Sequence, residues 1–113
     1  MQNNIFLKIL DRSIPAQIVY EDDDCMAFRD IHPQAPVHVL IIPRREIATH
    51  DAITPEDERL LGHLHVVAAK VAKDLGLTNG YRLVLNCRES AGQTVPHLHL
   101  HLLGGRQFSW PPG

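Results

Sequence analysis

Residues Val95-Pro96-His97-Leu98-His99-Leu100-His101-Leu102-Leu103-Gly104-Gly105 constrain this chain more than any other stretch. Three histidines alternate with leucines, the period-two pattern of a half-buried strand. Successive strand side chains point to opposite faces, so the pattern predicts His97, His99 and His101 on one face and Leu98, Leu100 and Leu102 in a core. Pro96 has no N–H to give a ladder and predicts the strand's start; Gly104-Gly105 predicts its end. Imidazole can act as acid, base, nucleophile or metal ligand near neutral pH. Against these stands a simpler reading, a polar strand face that happens to be rich in histidine. A histidine pair at i and i+2 could share a zinc ion. All three on one ion fits poorly, because the outer Cα atoms lie roughly 13 Å apart on an extended chain. Separate roles for the three rings suit the spacing better.

The rest of the 113 residues reads as one domain that can bury a core. A net charge of −2 gives no basic footprint for a nucleic-acid polymer. Cys25 and Cys87 read as free thiols in a reducing, cytoplasmic setting rather than a disulfide framework. The first residues carry no charged lead followed by an apolar run, so no signal peptide is expected, and no segment has the length of a membrane span.

In chain order, Ile5 to Leu10 predicts a short helix capped by Asn3 or Asn4. Gln17–Glu21 and Cys25–Asp30 predict two strands, with Asp22-Asp23-Asp24 between them as a solvated turn in preference to a cation site. Asp30 to Pro36 is a loop stiffened by two prolines. Asp30 could tie this loop down, or its carboxylate could accept both hydroxyls of a ribose. Val37–Pro43 predicts a central strand carrying His38, which alone would read as a satisfied core histidine. Arg44-Arg45-Glu46 fits either a phosphate clamp or an exposed strand end. Thr54-Pro55-Glu56-Asp57 signals a helix start. Leu60, Leu61, Leu64, Val67, Ala68, Val71 and Leu75 give its apolar stripe, and Gly76 its end. His63 and His65 project from different faces and are expected on the surface or at a subunit contact; His50 carries no expected role. Tyr81–Asn86 predicts another strand. The loop Cys87–Thr94 leads straight into the histidines, and its backbone N–H groups could bind phosphate oxygens.

His97-Leu-His99-Leu-His101-Leu-Leu resembles the His-φ-His-φ-His-φ-φ signature of the histidine triad nucleotide-binding superfamily. The similarity is strongest to its Hint branch of phosphoramidases, and runs from about Ile5 to Trp110-Pro111-Pro112-Gly113. It implies an α+β fold, with a roughly five-stranded, mainly antiparallel sheet, one long and one short helix, and a two-fold dimer joined through the long helix and an adjacent strand. It also implies that Asp30 receives the ribose, that Phe28 and Ile31 help form a base pocket, and that His38 supports the active site from the phosphate side. Asn86, Gly92, Gln93 and Thr94 would contact the phosphate and leaving group. Relatives commonly have Ser at the Thr94 position and Tyr at the Pro96 position, departures that bear on which leaving groups fit. The tail 106–113, with Trp110, would reach toward the partner's active site and affect specificity.

The implied reaction is hydrolysis of a purine nucleoside 5′-phosphoramidate, of the AMP-lysine type, to a nucleoside monophosphate and an amine. His99 would form the covalent nucleotidyl intermediate. The carbonyl of His97 would fix the tautomer of His99, while His101 and Thr94 would serve phosphate and leaving group. No metal and no cofactor is expected. Two alternatives differ in class: a dinucleoside polyphosphate hydrolase of the fragile-histidine type, and a non-catalytic nucleotide- or zinc-binding module.

Overall fold

Short apolar runs punctuated by turns build one five-stranded sheet, described by a computed structural model covering Met1 and residues 3–113. Its strands are β1 (Ile18–Glu21), β2 (Cys25–Arg29), β3 (Val37–Pro43), β4 (Tyr81–Val84) and β5 (Leu100–Gly104), in the spatial order β1-β2-β3-β5-β4. Every neighbouring pair is antiparallel. A short helix, α1 (Ile5–Leu10), and a long one, α2 (Glu58–Asp74), complete the α+β architecture expected from the sequence. Among the described residues no helix is long and apolar enough to cross a membrane.

Period-two alternation divides the core into two. On one face Ala27, Val39, Ile41, Leu98, Leu100 and Leu102 pack against the Leu64, Val67, Ala68 and Val71 stripe of α2. On the other, Met26, Phe28, Leu40 and Ile42 meet Phe6 and Ile9 of α1. The two helices therefore cover opposite faces, and α1 lies on the face that carries the histidines.

The helix signals act as read, with small shifts. Asn4 caps α1, its Oδ1 accepting the N–H groups of Phe6 and Leu7. The Asp57 carboxylate accepts the Thr54 N–H at 2.9 Å, and residues 55–57 form a 3-10 turn before the α-helix proper begins at Glu58. At the far end the Leu77 N–H reaches Ala72 O and the Gly76 N–H reaches Lys73 O, with Gly76 at φ +78°. That is a Schellman close, which needs a residue free to turn left-handed.

Two expectations need correcting. The alternating histidine–leucine stretch does not enter the ladder at His97, since β5 starts only at Leu100, opposite Ile41. Pro96 has no N–H, the His97 N–H turns back to Val95 O, and the Leu98 N–H goes to Ile47 O in the loop beyond β3. The backbone thus peels away from β3, although Leu98 still enters the same core as Leu100 and Leu102. β4 likewise stops at Val84, leaving Asn86 in the following loop.

His63, expected at the surface or a subunit contact, is partly exposed and also finds a partner within the chain. Its Nε2 lies 2.7 Å from Asp22 Oδ2, tying α2 to the β1–β2 turn. Asp22 also accepts the Tyr20 hydroxyl at 2.7 Å and the N–H groups of Asp24 and Cys25. Burial disfavours its ionised form, but these donors outweigh burial and hold the carboxyl well below the usual carboxylate range. The aspartate run is a turn, as read, with Asp22 as its hydrogen-bonding hub.

Leu102 is wholly buried in the strand that presents the histidines. Leu102→Ala is expected to reduce unfolding free energy by about 2–5 kcal/mol, and Leu102→Met by less than about 1.5 kcal/mol. Urea denaturation followed by circular dichroism checks both values.

Candidate active site

The register of β3 against β5 places Leu40 opposite His101 and His38 opposite Leu103, so both histidines share the α1 face and meet on the diagonal. Their rings lie 5.2 Å apart, and the His99 ring lies 4.9 Å from that of His101. Phe6 of α1 stands edge-on to His99 at 5.0 Å and to His97 at 6.1 Å. Four imidazoles from two adjacent segments are thereby gathered on one patch.

Hydrogen bonds to fixed backbone groups determine where the ring protons sit. The Gln34 N–H donates to His38 Nδ1 at 3.0 Å, so this nitrogen holds a lone pair. Neutral His38 then carries its hydrogen on Nε2 and donates it to His101 Nδ1 at 2.9 Å. His101 in turn keeps its hydrogen on Nε2, the nitrogen directed away from His38. His99 is set in the opposite sense: its Nδ1 lies 2.7 Å from the His97 carbonyl oxygen, which can only accept. The Nδ1 therefore carries the hydrogen and Nε2 a free lone pair. His97 is wholly buried and donates from Nε2 to Pro43 O at 2.8 Å.

Charge is disfavoured throughout this patch. Burial pushes the imidazolium pKa of His97, His99 and His38 down, with Asp30 partly opposing it at His38 and His99. His101 falls to about 4, through burial first and then the neighbouring rings of His99 and His38. All four rings are neutral at pH 7, and His99 presents an unprotonated nitrogen beside the donor face of His101. Such a pair can attack an electrophilic centre and stabilise the oxyanion or leaving group beside it. Asp30, His38 and His101 also bring one ligand atom each within 4.8 Å of one another. There, however, the His38 Nε2 and His101 Nδ1 atoms are engaged with each other.

The other residues singled out in the sequence fall in varied places. Phe28 is buried on the histidine face, 5.6 Å from Phe6. Asp30 divides its carboxylate: Oδ1 accepts the His32 N–H at 2.8 Å, and Oδ2 lies 3.5 Å from His38 Nε2. It ties down the loop and still faces the cluster. Ile31 is 82% exposed. Thr94 is exposed and lines a cleft of about 400 Å³ with Gly92, Gln93 and Glu89. Asn86 stands beside Gly92, whose φ of +92° turns the loop. Gln93 is buried, and its side chain staples the backbone: Oε1 accepts the Arg88 N–H, and Nε2 donates to Ala48 O and Val95 O. With both its donors committed, Gln93 shapes the loop.

Arg44 and Arg45 are not a clamp. Arg44 binds Asp22 O and Glu21, and Arg45 pairs with Asp57. Trp110 is 83% exposed. Its tail runs along β4, where Arg82 donates to Ser109 O and the Arg82 and Arg106 guanidinium groups lie over the Phe108 ring at 5.0 and 4.1 Å. A cleft of about 480 Å³ opens there, away from the histidines. Two contributors escaped the sequence reading. The Gln34 N–H sets the His38 tautomer, and no residue type encodes a backbone donor. Asn4 was legible as a helix cap, but its 3.0 Å approach to His97 spans 93 positions and no local pattern signals it.

Comparison with known proteins agrees with this geometry. The profile of the HIT domain matches residues 11–108. An uncharacterised HIT-like protein of Synechocystis is 60% identical over 99% of this chain and 98% of its own length. The crystal structure of a HIT family hydrolase from Legionella pneumophila superposes with a TM-score of 0.95 at 52% identity, covering 98% of this chain and all of that one. A histidine triad nucleotide-binding protein from Candida albicans matches at 0.82 and 32% identity, over 96% of this chain and 82% of its own. With its histidine patch and an almost complete match in both sequence and fold, this chain belongs to the HIT family.

Proposed function

We propose that this protein hydrolyses purine nucleoside 5′-phosphoramidates to a nucleoside monophosphate and an amine. The carrying observation is the free Nε2 lone pair of His99, created by the bond from its Nδ1 to the His97 carbonyl. The names of its relatives, a HIT family hydrolase and a nucleotide-binding protein, support a hydrolytic reaction on a nucleotide.

In this reading His99 Nε2 attacks phosphorus while the phosphorus–nitrogen bond breaks. The departing amine takes up a proton, and the nucleotidyl group remains on His99. His101 Nε2–H donates toward the phosphate or leaving group, with the Thr94 hydroxyl nearby. Water then attacks phosphorus, releasing the monophosphate and freeing His99. Asp30 serves the ribose through its carboxylate, Phe28 and Ile31 the base, and the loop of Asn86 and Gly92 the phosphate. Positioning and charge stabilisation dominate phosphoryl transfer, and neutral, pre-oriented rings supply both. The same reading includes a cytoplasmic two-fold dimer through α2 and β4, bringing the Trp110 tail of each subunit toward its partner's site. The outer edge of β4 is unpaired in the sheet, and Tyr81 on β4 and Val66 on α2 are exposed.

The test offers metal-stripped protein an adenosine 5′-phosphoramidate with a lysine-like leaving group. The parent is expected to release AMP and His99→Ala to lose at least about 10³-fold in rate, with an acid-labile adenylyl group trapped on the parent alone. Equal release by both would remove His99 as nucleophile. Release from diadenosine polyphosphate only would move the reading to the fragile-histidine type.

The neutral rings give a second expectation. Folded-state pKa values below 6.5 mean that the unfolded chain takes up protons first as pH falls. The stabilising contribution is full above about pH 6.5 and is lost progressively toward the His101 value of about 4. The urea midpoint should therefore decline already between pH 6.5 and 4.5, before carboxylates titrate. His101→Gln should flatten that decline.

A further inference from the structure

The first turn of α1 makes a polar contact with the histidine patch that the chemistry above does not use. Asn4 Oδ1 accepts the N–H groups of Phe6 at 3.1 Å and Leu7 at 3.3 Å. Backbone N–H groups can only donate, so these bonds fix which end of the amide is oxygen. The opposite end, the NH2, faces His97 Nδ1 at 3.0 Å and Glu46 Oε2 at 3.1 Å. A donor held against Nδ1 requires a lone pair there, so the His97 hydrogen sits on Nε2, where it reaches Pro43 O. Both ring nitrogens are then satisfied, one by α1 and one by the end of β3. A ring pinned at both edges also pins its own peptide, and the carbonyl of that peptide holds His99 Nδ1 at 2.7 Å.

We propose that Asn4 is a positioning residue for the His99 nucleophile: its NH2 locks the His97 ring in the Nε2–H form and so fixes the carbonyl that orients His99. Helix α1 thereby acts as a latch on the nucleophile, its Phe6 edge closing over both rings and its cap bonded to one of them. The groups facing His97 are Asn4 and Phe6 from α1, the Pro43 carbonyl from β3, Glu46 from the following loop, and His99 from its own segment. Glu46 is the one carboxylate among them, and Asn4 stands between it and the ring as a shared donor. The rate consequence rests on the nucleotidyl-histidine reading; the His97 tautomer does not.

Asn4→Asp tests this directly. Aspartate caps helices as well as asparagine does, so α1 is retained, but an acceptor replaces the donor at His97 Nδ1. The ring then gains a second proton, and an imidazolium beside His99 draws electron density and proton affinity away from the nucleophile. Nitrogen-15 NMR of histidine-labelled protein is expected to show His97 as the Nε2–H tautomer in the parent between pH 6 and 8, and as a cation in Asn4→Asp. With the adenosine substrate the parent turns over, kcat should fall about tenfold or more with KM nearly unchanged. Asn4→Ser, which keeps a cap and removes the contact, should leave the Nε2–H tautomer that the Pro43 carbonyl also demands, and give a smaller loss in kcat. A parent His97 protonated on Nδ1 overturns the proposal, as does an unchanged His97 signal in Asn4→Asp. A cationic His97 with parental kcat overturns it too. A parent inactive on every adenosine substrate defeats the proposed function instead, and the NMR signals still decide the contact.

Discussion

The register between β3 and β5 is the constraint from which the site follows. Pairing Leu40 with His101 brings His38 and His101 together across the diagonal, and the same alternation sends Leu100 and Leu102 into the core beneath α2. A slip of one residue would turn the histidines into the apolar core beneath α2 and the leucines toward α1. The apolar side of the strand thus specifies where the polar side stands, and the driving force for folding is also what aligns the imidazoles.

Proton placement in the site depends on groups that cannot titrate. Backbone N–H and C=O groups stand at the ends of the ring-to-ring contacts: Gln34 N–H at His38, the His97 carbonyl at His99, and the Pro43 carbonyl at His97. Their fixed polarity leaves each neutral ring one tautomer. Burial adds a second restriction by disfavouring the charged form. Orientation and protonation state are therefore determined in the folded protein before any ligand arrives.

Much of this was legible in the sequence, because periodicity reports faces directly. The leucine and histidine faces, the α2 stripe, the Gly76 stop, the central strand Val37–Pro43 and the Asp22 turn are each read from local spacing and residue type. The start of β5 was not, because its lost pairing depends on Leu98 and His97 finding partners beyond the ladder, at Ile47 and Pro43. The Asp22 partner of His63 was not legible for a similar reason. Helical spacing tells which face a residue occupies, but the partner of that face, Asp22, lies 41 positions away. The Gln93 side chain, which the resemblance directs to the phosphate or leaving group, is bonded to the carbonyls of Ala48 and Val95, 45 and 2 positions away. Long-range polar partners are the part of a fold that patterning leaves open.

The early departure of residues 97–99 from the ladder has a consequence for how this molecule moves. Amides bound in a sheet interior open only with large parts of the fold, whereas amides held by single loop contacts open locally and at lower free energy. Around His99 the backbone is held by the Leu98 N–H bond to Ile47 O and by side-chain anchors, and the continuous hydrogen-bonded strand begins only one residue later. The stretch held by single contacts thus includes His99, while Leu98, Leu100 and Leu102 stay seated in the core. Local opening at this seam can therefore proceed without unpairing β3 from β5.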